Sequence, residues 1–206
     1  MAPNVVLPGD RRGRSEGSLP PRYGDEVEFT ASEIARCVDG TLVGADVAVA
    51  GAGIDSRTLE AGQLFVPVVG VRDGHDFIPA AVARGAAAVL TAREPAPGVA
   101  SIVVPDPVEA LTSLGGLARG RLPDRVVGIT GSVGKTSTKD LTAAVLRRRH
   151  VVAASEKSFN NELGVPLTLV NAPEGTEMAV IEMGARGHGH IAALCRVARP
   201  TIAVVT

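Results

Sequence analysis

The sequence is poor in cysteine, in aromatic residues and in net charge, and each shortage excludes a class of function. Its two cysteines, Cys37 and Cys195, lie far apart and outside any CxxC or Cys/His cluster, so we expect a reducing compartment and neither a disulfide framework nor a zinc site. Four Phe and one Tyr are too few to form a platform on which single-stranded nucleic-acid bases stack. The formal net charge of −1 gives no bulk attraction to nucleic acid or to a membrane surface.

Long apolar runs are also missing. No stretch of about 18 apolar residues occurs, which excludes a membrane-spanning helix, and the N-terminal residues lack the apolar segment of a secretory signal. We therefore expect a cytoplasmic protein. The 206 residues are 45% hydrophobic and 21% charged, a composition typical of a globular chain with one large or two small domains.

The first part of the chain divides into three segments. Residues 1–26 are rich in Pro, Gly, Arg and Ser without periodicity, which predicts a disordered extension. A basic arm for nucleic acid is the alternative, but four acidic residues dilute its charge. Residues 27–105 then predict a small α/β domain, and residues 106–124 a linker with a connecting helix over 108–119. The domain's expected elements are helices ending at Cys37 and over 77–84, and strands at 41–43, 47–50, 64–66, 87–90 and 102–104.

Residues 125–206 show a regular alternation of strands and helices. This alternation predicts a parallel sheet with helices on its faces. Because the chain stops at Thr206 at the end of a strand, and no helix follows to cover it, we expect this second domain to be truncated. The expected strands are 126–130, 151–154, 178–182 and 202–205, and the expected helices are 135–149, 162–170 and 189–198.

A glycine-rich turn between the first strand and first helix of this second domain predicts a phosphate loop. The run Thr130-Gly-Ser-Val-Gly-Lys-Thr136 places glycines where a backbone must approach a phosphate, at the positive end of a helix dipole. We expect the ammonium of Lys135 to reach the β- and γ-phosphates and the hydroxyl of Thr136 to bind Mg²⁺. The predicted nucleotide-binding residues are Gly131, Ser132, Val133, Gly134, Lys135, Thr136 and Ser137.

The spacing of this loop narrows the class of enzyme. The general P-loop pattern requires a glycine where this chain has Ile129, so the shorter GxxGKT argues against small GTPases and most kinases. A carboxylate at the end of a neighbouring strand holds the metal in such folds. Glu182, at the end of the strand MAVIE, is the expected ligand and catalytic partner of Lys135; the alternative is a solvated glutamate at a strand end.

The motifs together resemble those of the Mur ligase family over about residues 27–206. TGSVGKTSTK, SFNNELGVPLTL and VIEMGARGHGHI resemble the family's central ATPase domain, and they occur in the family's order. Upstream, IDSR (54–57), GQLFV (62–66), GVRDGHDFI (70–78) and RGA (84–86) resemble its N-terminal UDP-binding domain. The resemblance implies an α/β fold with a small UDP-binding domain followed by a parallel-sheet ATPase domain.

Within the family, residues 158–169 resemble the member that adds D-alanyl-D-alanine to UDP-N-acetylmuramoyl tripeptide. The implied reaction uses ATP and Mg²⁺ and passes through an acyl phosphate, serving peptidoglycan precursor synthesis. One alternative is the related ligase that adds the third amino acid, although its usual Thr-Thr-Pro segment is absent. A second alternative is a non-catalytic fragment that at most binds the UDP-substrate and nucleotide.

The resemblance also implies substrate-binding residues, and each has a structural alternative. Ser56 and Arg57 are expected at the UDP moiety, or else as turn residues held by Asp55. Asn160 and Asn161 are expected near the substrate, or else as caps of the following helix. His188 and His190 are interpreted as the start of a helix and not as a metal pair. Asp73, His75 and Asp76 are interpreted as a structural turn.

Overall fold

The chain forms two α/β units, each built on its own sheet. The computed structural model describes residues 28–156 and 159–206, so the predicted extension over 1–26 lies outside the described residues. The predicted α/β fold class, with a parallel-sheet second unit, is confirmed. Among the helices of the described part of the chain, none is long and apolar enough to cross a membrane.

The first unit contains a mixed sheet of five strands in the order β2-β7-β6-β5-β4. Strands β4 to β7 run parallel, β2 pairs antiparallel with β7, and β1 and β3 form a separate antiparallel pair. The carboxyl ends of β4 to β7 therefore share one edge of the sheet. The elements are β1 Glu28–Thr30, α1 Ala31–Cys37, β2 Thr41–Val43, β3 Ala48–Ala50, β4 Ala52–Gly53, β5 Leu64–Phe65, α2 Ile78–Ala83, β6 Ala88–Thr91 and β7 Ala100–Val103.

The second unit contains a fully parallel sheet of four strands in the order β11-β8-β10-β9. Its carboxyl edge brings together the loop after β8 and the end of β10. Ligands of open α/β sheets bind at this edge. The elements are α3 Pro107–Arg121, β8 Val126–Thr130, α4 Lys135–Leu146, β9 Val152–Ala154, α5 Gly164–Val170, β10 Met178–Glu182, α6 His190–Ala198 and β11 Ile202–Val205.

Several expected boundaries are wrong. The helix predicted over 135–149 ends at Leu146, and the one predicted over 162–170 begins at Gly164. The helix predicted over 77–84 is a 3₁₀ turn over Gly74–Phe77 followed by α2. Strands β1 and β4 were not predicted, because two or three residues carry no readable periodicity.

The expected connecting helix, α3, packs into the core between the two units. It contacts α5 and α6 in the second unit and α1 in the first. Gly115 permits this approach, since a Cβ there would lie 2.7 Å from the Cβ of Pro166. Leu64, Leu114 and Leu169 belong to one buried apolar cluster that reaches both units. The two sheets are thus joined by packed side chains, while the predicted domain boundaries stay predictions.

Candidate active site

The loop between β8 and α4 has the backbone shape that an anion site requires. Gly131 has φ of +144° and Gly134, the N-cap of α4, has φ of +83°, conformations that L side chains rarely adopt. Among residues 28–156 and 159–206, no side chain caps the first turn of α4. The backbone N–H groups at the start of this helix are therefore oriented to bind an anion, with the helix dipole adding to the attraction.

Lys135 folds back over this loop. Its Nζ donates to the carbonyl oxygen of Gly131 at 2.8 Å and lies 3.4 Å from that of Ser132. The predicted nucleotide contacts Ser132, Val133, Gly134, Thr136 and Ser137 are all exposed to solvent. The ammonium is held on neutral carbonyl groups, so an incoming phosphate competes only with weak acceptors.

The end of β11 supports the loop from one side. The backbone N–H of Thr206 donates to the carbonyl of Thr130 at 2.9 Å, and its hydroxyl donates to the carbonyl of Val133 at 2.6 Å. A Cβ on Gly131 would lie 2.2 Å from the carbonyl oxygen of Thr206. Glycine at position 131 is therefore required by close packing as well as by its backbone angle.

Glu182 is buried with one carboxylate oxygen unpartnered. The residue is 1% exposed, and its Oε1 accepts a hydrogen bond from Nδ2 of Asn160 at 2.9 Å. Oε2 is buried and has no hydrogen-bond donor among the described residues. Such an oxygen costs about 1–3 kcal/mol, and a hard cation that prefers carboxylate oxygens relieves that cost. The residues present therefore fit a divalent cation.

The two asparagines have different surroundings. Asn160 lies beside Glu182, and its carbonyl oxygen accepts from the N–H of Gly184 at 2.7 Å. A Cβ on Gly184 would lie 2.8 Å from Oδ1 of Asn160, so the glycine permits this contact. Oδ1 of Asn161 instead accepts from the backbone N–H groups of Leu163 and Gly164, at the entry to α5. The structure brings Asn160 to the predicted metal ligand, and a substrate role for either residue stays a prediction.

A second lysine on α4, Lys139, was missed by the sequence reasoning. It is 2% exposed, and its Nζ donates to the carbonyl of Ser155 at 2.7 Å and pairs with Asp140 at 3.0 Å. The hydroxyl of Ser155 accepts from the N–H of Glu182 at 3.1 Å. Lys139 thus connects the P-loop helix to the strand end that carries the acidic residue. The available signal was its spacing of four from Lys135, which places both on one face of a helix.

The predicted UDP-contacting residues follow β4 at the carboxyl edge of the first sheet. Ser56 is buried, whereas Arg57 is exposed and donates from Nε and Nη2 to the carboxylate of Asp55 at 2.9 and 2.7 Å. The side-chain hydrogen bond from Arg57, followed by its backbone N–H, lowers the pKa of Asp55 to about 2. The turn interactions are present, and contact of Ser56 or Arg57 with UDP stays a prediction.

His75 belongs to a hydrogen-bonded turn, and His188 and His190 lie at the entry to α6. His75 is buried, with Nδ1 2.7 Å from the carboxylate of Asp73 and Nε2 accepting from the N–H of Ala92 at 3.0 Å, as in a structural turn. His188 and His190 are exposed, and His190 is the first residue of α6. No group of three His, Cys, Asp or Glu residues able to hold a metal occurs in the described ranges. Mg²⁺ is nonetheless often bound by one carboxylate together with substrate phosphates.

Two family models match the chain. One, described as the Mur ligase middle domain, matches residues 129–206, and the other, described as the Mur ligase family catalytic domain, matches residues 48–114. The matches fall on the second unit from the end of β8 onward, on the part of the first unit from β3 to β7, and on the start of α3. They include the phosphate loop, Glu182 and Ser56.

Curated relatives with the same activity name match most of the chain. The UDP-N-acetylmuramoyl-tripeptide--D-alanyl-D-alanine ligase of Bacillus subtilis is 42% identical over 187 residues, and that of Escherichia coli is 38% identical over 180. Both alignments include 87% of this chain. The chain spans 41% and 40% of the length of these relatives.

Solved structures show the same arrangement of units. MurF from Acinetobacter baumannii superposes with a TM-score of 0.79 at 28% identity, covering 88% of this chain and 41% of that one. MurF ligase from Thermotoga maritima, in complex with ADP, has a TM-score of 0.66 at 36% identity and covers 75% of this chain and 36% of that one.

Proposed function

This chain belongs to the Mur ligase family, and on that premise we propose that it acts in the ATP-dependent joining of D-alanyl-D-alanine to UDP-N-acetylmuramoyl tripeptide. The observation that carries the proposal is a buried oxygen of Glu182 that has no hydrogen-bond donor in the described part of the chain, at the end of β10, the strand next to the one that leads into the phosphate loop. The relatives' activity name supplies the substrates. The reaction places the protein in cytoplasmic peptidoglycan precursor synthesis.

The proposed reaction has two steps. A carboxylate oxygen of the tripeptide attacks the γ-phosphorus of ATP, the bond to the β,γ-bridging oxygen breaks, and ADP leaves. The amine nitrogen of D-alanyl-D-alanine then attacks the carbonyl carbon of the acyl phosphate. Inorganic phosphate leaves, the nitrogen loses its proton, and an amide remains. The first step is mainly a matter of positioning and charge neutralisation.

The residues of the second unit have distinct roles in this proposal. Gly131 and Gly134 give the loop its shape, and the first N–H groups of α4 bind phosphate oxygens. Lys135 moves from its loop carbonyls onto the β- and γ-phosphates. The hydroxyl of Thr136 and the free oxygen of Glu182 would hold Mg²⁺, which supplies neutralisation of phosphate charge when bound. Ser132, Val133 and Ser137 complete the loop.

The first unit binds the UDP-substrate in this proposal. Ser56 and Arg57 stand at the carboxyl edge of its sheet, where the hydroxyl and guanidinium are suited to uracil and phosphate oxygens. Asn160 provides a neutral amide group beside the carboxylate of Glu182, and Asn161 provides a second amide next to it in the sequence. The division assigns residues 27–105 to the UDP-substrate and residues 125–206 to the nucleotide.

The Lys135→Ala variant, made in the complete enzyme, tests this division. We expect ligation to fall by at least a hundredfold, because one preorganised contact with the transferring phosphoryl group contributes about 3 kcal/mol or more to the barrier. Calorimetry should show affinity for UDP-N-acetylmuramoyl tripeptide within twofold of the parent. Arg148→Ala, which removes an exposed cation beyond the other end of α4, is the matched control and should leave both quantities unchanged. An equal loss of ligation and UDP-substrate affinity in Lys135→Ala would contradict the proposal.

A further inference from the structure

The side chain of Asn171, just after α5, pairs with the edge strand of the other unit. Its Oδ1 accepts from the backbone N–H of Ala52 at 2.6 Å, and its Nδ2 donates to the carbonyl oxygen of Ala52 at 2.9 Å. Ala52 lies on β4, at the edge of the five-stranded sheet. One amide therefore connects two residues that are 119 positions apart in the sequence.

This pairing takes the place of a further strand. The carbonyl oxygens of Gly51 and Gly53, on either side of Ala52, accept from the N–H groups of Leu64 and Val66 on the β5 side. In a parallel ladder the intervening residue directs its N–H and C=O away from that neighbour. Ala52 is 2% exposed, so both of its backbone groups require a partner, and the amide of Asn171 supplies one for each.

Helix α5 connects the two candidate subsites. Its seven residues are all buried and span about 10 Å at 1.5 Å per residue. Asn160, which donates to Glu182, lies in the segment that precedes the first residue of the helix, Gly164. At its end Asn171 holds β4, which leads directly into Ser56 and Arg57.

We propose that Asn171 is a positioning residue that sets the spacing between the UDP-substrate segment, Ser56–Arg57, and the nucleotide segment that contains Asn160 and Glu182. The effect of Asn171 on turnover rests on the proposed function, whereas its effect on the distance between the two segments does not. Transfer from ATP to a carboxylate requires the reacting atoms to approach to about 3–3.5 Å. A rigid connection between the segments that hold the two substrates maintains that approach.

The spacing is measured directly with a pair of spin labels. Glu60→Cys and Glu162→Cys replace exposed residues on the two units, after Cys37 and Cys195 are changed to Ser. Pulsed electron resonance should give one narrow distance distribution with Asn171 present and a shifted or broadened one in Asn171→Ala. Asn171→Asp is the second variant. It keeps the oxygen that accepts from the N–H of Ala52 and loses the N–H that donates to the carbonyl oxygen of Ala52. It replaces the alanine variant in the test if that variant does not fold.

A control separates positioning from stability. Thr176→Val removes a buried hydrogen bond from Oγ1 to the carbonyl of Pro173 within the second unit alone. It should lower the melting temperature without changing the distance distribution. In the Asn171 variants kcat should fall at least tenfold, while the dissociation constants of nucleotide and UDP-substrate stay within twofold.

One outcome would overturn the positioning role of Asn171 and a different outcome would overturn the proposed function, so the two failures can be told apart. An unchanged distance distribution and unchanged kcat in both Asn171 variants, with only a lower melting temperature, would overturn the positioning role. A changed distribution in a complete enzyme whose parent form shows no ligation would support the spacing role and overturn the proposed function.

Discussion

Replacing Glu182 by Gln should have opposite effects on stability with and without a bound metal. The substitution keeps the shape of the side chain and the oxygen that accepts from Asn160. It removes the negative charge of a residue that is only 1% exposed. Without metal, the free energy of unfolding should be equal to or higher than that of the parent, because a buried carboxylate with an unpartnered oxygen is destabilising. With Mg²⁺ and ADP, the variant should be the less stable protein.

The size of the second effect follows from ligand linkage. A ligand present at a hundred times its dissociation constant stabilises the folded state by about 2.7 kcal/mol. If loss of the charge raises that constant a hundredfold, the remaining stabilisation is about 0.4 kcal/mol. The difference of about 2.3 kcal/mol corresponds to a melting temperature lower by about 5–9 °C for a domain of this size.

The assay is thermal unfolding in EDTA and in Mg²⁺ with ADP, followed by turnover as Mg²⁺ is raised. Glu174→Gln, which removes an exposed carboxylate, is the control and should retain the full nucleotide-dependent shift. High Mg²⁺ should partly restore turnover in Glu182→Gln. If Glu182→Gln gains as much stability from Mg²⁺ and ADP as the parent does, the assignment of Glu182 as a metal ligand is refuted.

Three further outcomes are expected. Gly131→Ala should lower the free energy of unfolding, measured in urea, by about 2 kcal/mol. Gly98→Ala is the control and should lower it less, because Gly98 also has a positive φ but no atom lies within 4 Å of a new Cβ there. Equal losses in the two variants would contradict the close contact between Gly131 and Thr206. Lys139→Met should weaken Mg²⁺-ADP binding in calorimetry and lower stability by about 1–3 kcal/mol, with partial recovery in Lys139→Arg; unchanged nucleotide binding would contradict its link to Glu182. Asp55 should titrate at about 2 in carbon NMR. Its stabilising contribution is therefore fully present above the ordinary carboxyl pKa near 4, and it is lost as the pH falls through about 2. Arg57→Gln should raise that midpoint, and a parent midpoint near 4 would contradict the pairing.

The local pattern of the sequence determined the phosphate loop, the order of strands and helices in the second unit, and the family. Glycines at fixed offsets between a β-branched strand and a helix specify a phosphate loop by backbone geometry alone. The strands 126–130 and 178–182 were predicted at their observed bounds, because buried parallel strands are continuous apolar runs. Helix ends were less accurate, since the terminal turns of a helix lack part of its backbone hydrogen bonds and carry a weaker sequence signal.

Tertiary structure alone decided which side chains meet. Strand β4 has two residues, and it exists because β5 pairs with one side and Asn171 with the other. The unpartnered oxygen of Glu182 and the bond from Lys139 to Ser155 depend on how α4 and β10 pack. Periodicity and spacing report on neighbours within a few positions, whereas these contacts join residues 16 to 119 positions apart. The sequence by itself thus determined most of the elements and the chemistry of the phosphate loop, and the packing of buried surfaces determined the short strands, the helix ends and the contacts between distant residues.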